Sequence, residues 1–78
     1  MMQPKAFADT LRSFVRKTPF QPFVIEMAEG RQAVIRRPDK LAFSEGGGAS
    51  YLTAEELYLI DCENVIQIRP LEAQKTSP

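Results

Sequence analysis

Proline and glycine punctuate this chain so closely after residue 18 that no parallel crossover fits. Pro19, Pro22, Gly30, Pro38 and the Gly46-Gly47-Gly48 run leave stretches of seven residues or fewer up to residue 48, and the polar Asp61-Cys62-Glu63-Asn64 turn divides the stretch from there to Pro70. A parallel crossover takes a dozen or more residues, usually as a helix. Beyond its first segment the chain is therefore restricted to short strands joined by tight turns, which pair antiparallel.

The first segment is different. Phe7, Leu11, Phe14 and Val15 fall at i, i+4, i+7 and i+8, one apolar stripe of 3.6-residue period. Pro4 suits a first helical turn, where its missing N–H would be unpaired anyway. Arg16 and Lys17 suit a last turn, where cations favour the helix dipole. Thr18-Pro19 stops the run, because the residue before proline is pushed out of the α region. This pattern predicts a helix over 5–17.

Period-two alternation follows. Phe23, Ile25 and Met27 alternate with Val24, Glu26 and Ala28, and Glu29-Gly30 forms a turn with Gly30 at positive φ. Residues 31–37 make a second strand, broken at Pro38-Asp39. Leu41 and Phe43 mark a third, and the three glycines a loop tip. Tyr51 and Thr53 mark a fourth. Residues 53–56 resemble a Thr-capped helix start with two acids, yet Tyr58-Leu59-Ile60 is β-rich, so 57–60 reads as strand. Asp61 to Asn64 is a turn, and 65–69 a last strand ended by Pro70.

One helix followed by about five short antiparallel strands predicts a mainly β fold. The expected form is a small five-stranded antiparallel barrel of SH3-like or Sm-like type, which removes exposed edges by closing the sheet. The helix would pack across one end. The expected core is Phe7, Leu11, Phe14, Phe23, Ile25, Ile35, Leu41, Phe43, Leu59, Ile66 and Ile68. Residues 1–71 form the single domain. Residues 72–78, with no apolar residue beyond Ala73, are expected to be a disordered tail.

Composition narrows function. Of 78 residues, 44% are hydrophobic and 26% charged, a globular balance. The absence of histidine and a single cysteine exclude a disulfide scaffold, a histidine-based triad and the common zinc sites. No apolar run approaches the roughly 18 residues of a membrane span, and no signal-peptide core is present. A soluble, reducing, cytoplasmic setting is the expectation, with no membrane partner.

Cys62 is a poor nucleophile by sequence, since Asp61 and Glu63 flank it and would raise its pKa. The acid pairs Glu55-Glu56 and Asp61/Glu63 read as solvated. Glu45, Asp61 and Glu63 lack the regular loop spacing of an oxygen-ligand metal site. The glycine run is no phosphate loop, because Ala49-Ser50 stands where Lys-Ser or Lys-Thr is needed. No catalytic residue, metal ligand or cofactor is expected, and the chain reads as a non-enzyme.

The charge is net zero but segregated. Residues 1–44 carry eight bases and four acids, hence +4; residues 45–78 carry two bases and six acids, hence −4. Either folding mixes the signs, or the segregation marks a binding face or a head-to-tail self-contact. Arg31, Arg36, Arg37 and Lys40 are the candidate binding residues. Guanidinium groups suit phosphates and stack on bases, and Phe20, Tyr51 or Tyr58 would strengthen the case as exposed platforms. The competing expectation pairs Arg36 and Arg37 with Glu26 or with the acids of 55–63. The Phe20/Phe23 pair reads as core that pins the helix–strand joint.

Pro19-Phe20-Gln21-Pro22-Phe23-Val24-Ile25, Glu29-Gly30-Arg31, Arg36-Arg37-Pro38-Asp39 and Val65-Ile66-Gln67-Ile68-Arg69-Pro70-Leu71 resemble a group of small, largely uncharacterised bacterial proteins. Their pattern is PFxPFxI, DGR, V-x-HPE and V-x-x-I-x-P-L, over residues 11–71 here. Glu29 replaces that family's aspartate and Arg37 its histidine. The resemblance implies a small fold and no particular activity. The element order also resembles Sm-like and SH3-like barrels, although the lysine–histidine pair with which the ring-forming bacterial Sm-like chaperone binds RNA is absent. Two functions are expected to compete. The first is a non-enzymatic interaction module that binds a protein or itself. The second is an Sm-like nucleic-acid-binding oligomer with RNA on the arginine-rich face.

Overall fold

The structure, a computed structural model, describes residues 2–44 and 46–71. The tail expected over 72–78 lies outside them. Among the described residues the fold is mainly β with one N-terminal helix. Helix α1 spans Pro4–Val15, and six strands follow: β1 Phe23–Met27, β2 Gln32–Ile35, β3 Leu41–Ser44, β4 Gly48–Leu52, β5 Leu57–Asp61 and β6 Val65–Pro70. They form two antiparallel three-stranded sheets, ordered β2-β1-β6 and β3-β4-β5.

This corrects the expected five-stranded barrel. Pro38–Lys40 makes a 3₁₀ turn between β2 and β3, and Cys62–Asn64 makes another between β5 and β6. Each break moves the chain from one sheet to the other. β6 then pairs with β1 and β5 with β4, so the backbone hydrogen bonds do not close into a ring.

Helix α1 buries Phe7 and Leu11 completely, and Phe14 and Val15 pack against the same core. It ends two residues before the expected bound, with Arg16 as its αR cap. The helix spans both sheets: the Phe14 ring lies 5.0 Å from the Phe23 ring of β1, and the Arg12 guanidinium sits 5.4 Å over the Phe43 ring of β3.

Phe23, Ile25 and Met27 point into the core as alternation requires, joined by Ala33 and Ile35 of β2. Val24 is buried too, on the outer face. Its register partners are Val34 and Arg69, and Arg69 reaches along that face to Glu26, a path that lays its aliphatic stem beside Val24. The β1–β2 turn puts both Glu29 and Gly30 at positive φ, 66° and 76°, where the sequence pointed to Gly30 alone.

The expected core needs three corrections. Leu59 is 70% exposed, while Ile60 and Tyr51 are buried in its place. A one-residue error in strand phase turns every side chain over. Ile66 is 58% exposed because Met27 pairs with Val65 and Glu26 with Gln67, so a bulge throws Ile66 outward. Phe43 is 41% exposed at the end of the inner face, under Arg12. Leu41 and Ile68 are partly buried against the core, and Cys62 and Val65 complete it.

The turn before β5 is no helix start. The Thr53 hydroxyl accepts from the backbone N–H of Glu55 and Glu56 and lies 3.0 Å from the Glu56 carbonyl oxygen, closing a hairpin turn. The capping signal was real, but it served a turn. At the other end of β4, Gly47 has φ 94°, and a Cβ there would stand 2.6 Å from Cys62 Sγ.

Candidate interaction surface

The two sheets share one core and differ on their outer faces. On sheet β2-β1-β6 the outer face is a closed polar cluster. Glu26 accepts from Gln67 Nε2 at 2.7 Å and from Arg69 Nε at 2.9 Å, with Gln32 Nε2 at 3.4 Å. The Gln67 bond and the Arg69 guanidinium hold its carboxyl below the usual carboxylate range.

The outer face of β3-β4-β5 has no such cluster. Register places Ala42, Ser50 and Leu59 in one row across the three strands and Leu52 beside Leu57 in the next. Leu52, Leu57 and Leu59 are 52%, 55% and 70% exposed. Three leucines side by side on one sheet face make a contiguous apolar patch, unlike apolar residues scattered singly. The sequence signal lay in β5, where Leu57-Tyr58-Leu59-Ile60 is apolar on both phases, more than a strand with one buried face needs.

Beside this face is an open cleft of ≈ 430 Å³. Met27, Arg31 and Gln32 line one wall and Glu56, Leu57, Tyr58 and Leu59 the other. Arg31 and Glu56 face the same cleft and form no ion pair.

The candidate binding residues Arg31, Arg36, Arg37 and Lys40 are all exposed. They do not gather at one point. Arg31 precedes β2 and Arg36 follows it, five residues on, about 17 Å along an extended strand. Arg37 pairs with Asp39 at 3.0 Å and holds that carboxyl below its usual range, while the pair raises the guanidinium. Neither Arg36 nor Arg37 reaches Glu26 or the acids of 55–63, so the expected cross-sheet pairing does not form. The backbone N–H groups of Arg36 and Arg37 both donate to the Tyr51 hydroxyl, 3.1 Å each.

That contact removes Tyr51 as a stacking platform. Tyr51 is buried, and Tyr58, its register partner, is half-buried with its ring 6.4 Å away. Phe20 packs edge-on against Phe23 at 6.1 Å, as the core reading of that pair requires.

Ion pairing does little to join the basic and acidic halves of the chain. Among the described residues, Lys5 and Arg12 pair with Asp9, Arg37 with Asp39 and Arg69 with Glu26. The one pair joining the two halves takes a base from the acidic half and an acid from the basic half. Glu55, Glu56, Asp61 and Glu63 are exposed and take part in no ion pair among the described residues.

Cys62 is buried, and burial pushes its thiol up, with Asp61 and Glu63 adding to the shift. Among the described residues no group of three acids or cysteines is placed to hold a metal ion, and Glu45 lies outside them. Among the described residues no helix is long and apolar enough to cross a membrane. The chain matches no protein-family model, no curated protein and no solved structure.

Proposed function

We propose that this protein is a non-enzymatic interaction module whose working surface is the outer face of the β3-β4-β5 sheet, with a second copy of the chain as partner. The leucine patch carries this reading. Leu52, Leu57 and Leu59 contribute nothing to the shared core, yet keep apolar area in water. Burying that area between copies returns about 25 cal/mol per Å² before the costs of association are subtracted.

The test is molecular mass against concentration for the full chain and for Leu57→Asp with Leu59→Asp. The wild type is expected to rise above 8.8 kDa with concentration. The double variant is expected to stay at that mass with an unchanged melting temperature. A wild type that remains a monomer at millimolar concentration refutes the proposal.

A second reading, RNA on Arg31, Arg36 and Lys40, draws support from their exposure without ion pairs. It has no exposed tyrosine platform beside it. Three or four phosphate contacts on a net-neutral chain give weak, salt-sensitive affinity. A monomer is therefore expected to bind single-stranded RNA no better than high-micromolar at physiological salt. An oligomer would multiply the contacts.

A further inference from the structure

Four strand edges face away from their sheets: those of β2, β6, β3 and β5. An open edge presents unpaired backbone N–H and C=O groups and is a template for another strand. The four differ in what flanks them. β2 has a base at each end, Arg31 before it and Arg36 after it. β5 has an acid at each end, Glu56 before it and Asp61 at its close, with Glu63 just beyond. The spacing is the same, five residues in both cases. β6 runs from Glu63 into Pro70, and its one base, Arg69, is held by Glu26. β3 starts after Lys40 and has no second base. Only β2 and β5 share that spacing of flanking charges and oppose in sign at both ends.

Within one chain these charges do not meet. Arg31 and Glu56 stand on opposite walls of the open cleft, which leaves the start of β2 and the side of β5 uncovered.

We infer that copies of this chain associate head-to-tail, with the free edge of β5 in one copy beside the free edge of β2 in the next. This rests on the self-association proposed above and adds its geometry. Whether the strands run parallel or antiparallel, a base faces an acid at both ends, because each strand carries one sign throughout. Pairing β5 with β5 instead would set Glu56, Asp61 and Glu63 against their own copies, and like charges face to face are costly. The contact is heterologous. After one contact the first copy still has its β2 edge and the second its β5 edge, so the assembly extends until a rotation closes it. The leucine patch borders the β5 edge, so edge pairing sets side chains of the next copy's β2 beside Leu57 and Leu59.

Two variants separate this geometry from every symmetric contact. Glu56→Lys with Glu63→Lys reverses the acid before β5 and the acid just beyond it, and leaves Asp61, whose carboxylate accepts from the Glu63 N–H. Arg31→Glu with Arg36→Glu reverses the β2 ends. The changed side chains hold no hydrogen bond or ion pair among the described residues. Each variant alone is expected to self-associate about ten- to a hundredfold more weakly than the wild type, since like charges then face each other at both ends in the β2 variant and at the Glu56 end in the β5 variant, which keeps Asp61. Mixed in equal amounts, they match in both combinations, intact β2 with intact β5 and reversed β5 with reversed β2, and are expected to associate again, the two variants alternating. Wild-type association should weaken as salt rises.

If the wild type associates but the charge variants stay monomeric when mixed as well as alone, the edge pairing is wrong, and the leucine variant of the preceding section then decides by itself whether the apolar surface stands. If either charge variant associates as well as the wild type, the edge pairing is likewise overturned. If the wild type is monomeric throughout, both the pairing and the self-association fall together.

Discussion

The two three-stranded sheets meet over one core and present opposite outer faces. On β2-β1-β6, Glu26 gathers Gln67, Arg69 and Gln32, and Val24 is buried beneath that outer layer. On β3-β4-β5, the equivalent face carries serine, alanine and three exposed leucines. The first face is finished against water over β1 by side chains of its own chain, with Ile66 left exposed at the β6 bulge. The second is not. A fold of this size needs the inner faces of both sheets for stability, but an apolar outer face is left over from that requirement and is available for contact.

The widest contrast between the sheets lies in what their side chains contribute to stability. Ile25→Ala removes a fully buried side chain at the centre of β1 and is expected to cost about 2–5 kcal/mol. That is a large share of the roughly 5–15 kcal/mol typical of a whole domain. Leu59→Ala, on the outer face of β5, is expected to change monomer stability by less than about 0.5 kcal/mol. Urea unfolding of both variants checks the pair. A cost of several kcal/mol for Leu59→Ala would show that its exposed face is part of the fold.

Gly47 tests how the leucine-bearing sheet is tied to the helix. An alanine there meets Cys62 Sγ at 2.6 Å and Pro4 Cβ at 3.0 Å, at a φ of 94°. The expected loss is about 1–3 kcal/mol, from strain and overpacking together. Gly46→Ala shares the positive φ but meets open space, so it should cost less. Equal costs in thermal melts would put the whole effect in the backbone.

Tyr51→Phe removes the hydroxyl that receives both the Arg36 and Arg37 N–H groups where one sheet hands over to the other. A loss of about 1–3 kcal/mol is expected for stranding these partly buried donors, less where water replaces the hydroxyl. Faster amide exchange at residues 36 and 37 would locate the effect.

The smallest effect is the pH dependence of the finished face. The Glu26 carboxyl is held below its ordinary value of 4.5, so the folded state favours the ionised form. Its contribution is fully present above that value and is lost as pH falls through the lowered folded one. The expected result is a melting temperature that drops on acidification, with a shallower drop in Glu26→Gln.

Much of the fold was legible because punctuation and periodicity agreed. Pro4, the Phe7–Leu11–Phe14 stripe and Thr18-Pro19 marked the helix to within two residues at its end. Gly30 and Pro38 bounded β2, and Asp61–Asn64 marked the last turn. Strand faces were harder. In Leu57-Tyr58-Leu59-Ile60 every residue is apolar, so no polar residue sets the phase, and Leu59 was expected inside. At Ile66 the alternation is broken by a bulge that depends on the partner strand, which local sequence does not encode. The closed barrel failed for a similar reason, because closure depends on how far two 3₁₀ turns rotate the chain between sheets. The basic residues were visible as residue types, but their separation along β2, the local Arg37–Asp39 pair and the unused acids of β5 are products of tertiary placement. The leucine face was visible only as an excess of apolar residues in β5.

Amide hydrogen exchange across Leu57–Asp61, read at low and at high protein concentration, tests the central claim most directly. If the open side of the leucine-bearing sheet is an interface between copies, exchange in β5 slows as concentration rises. Exchange in β1, already paired on both sides, does not change. Exchange in β5 that is independent of concentration up to the millimolar range would contradict the account.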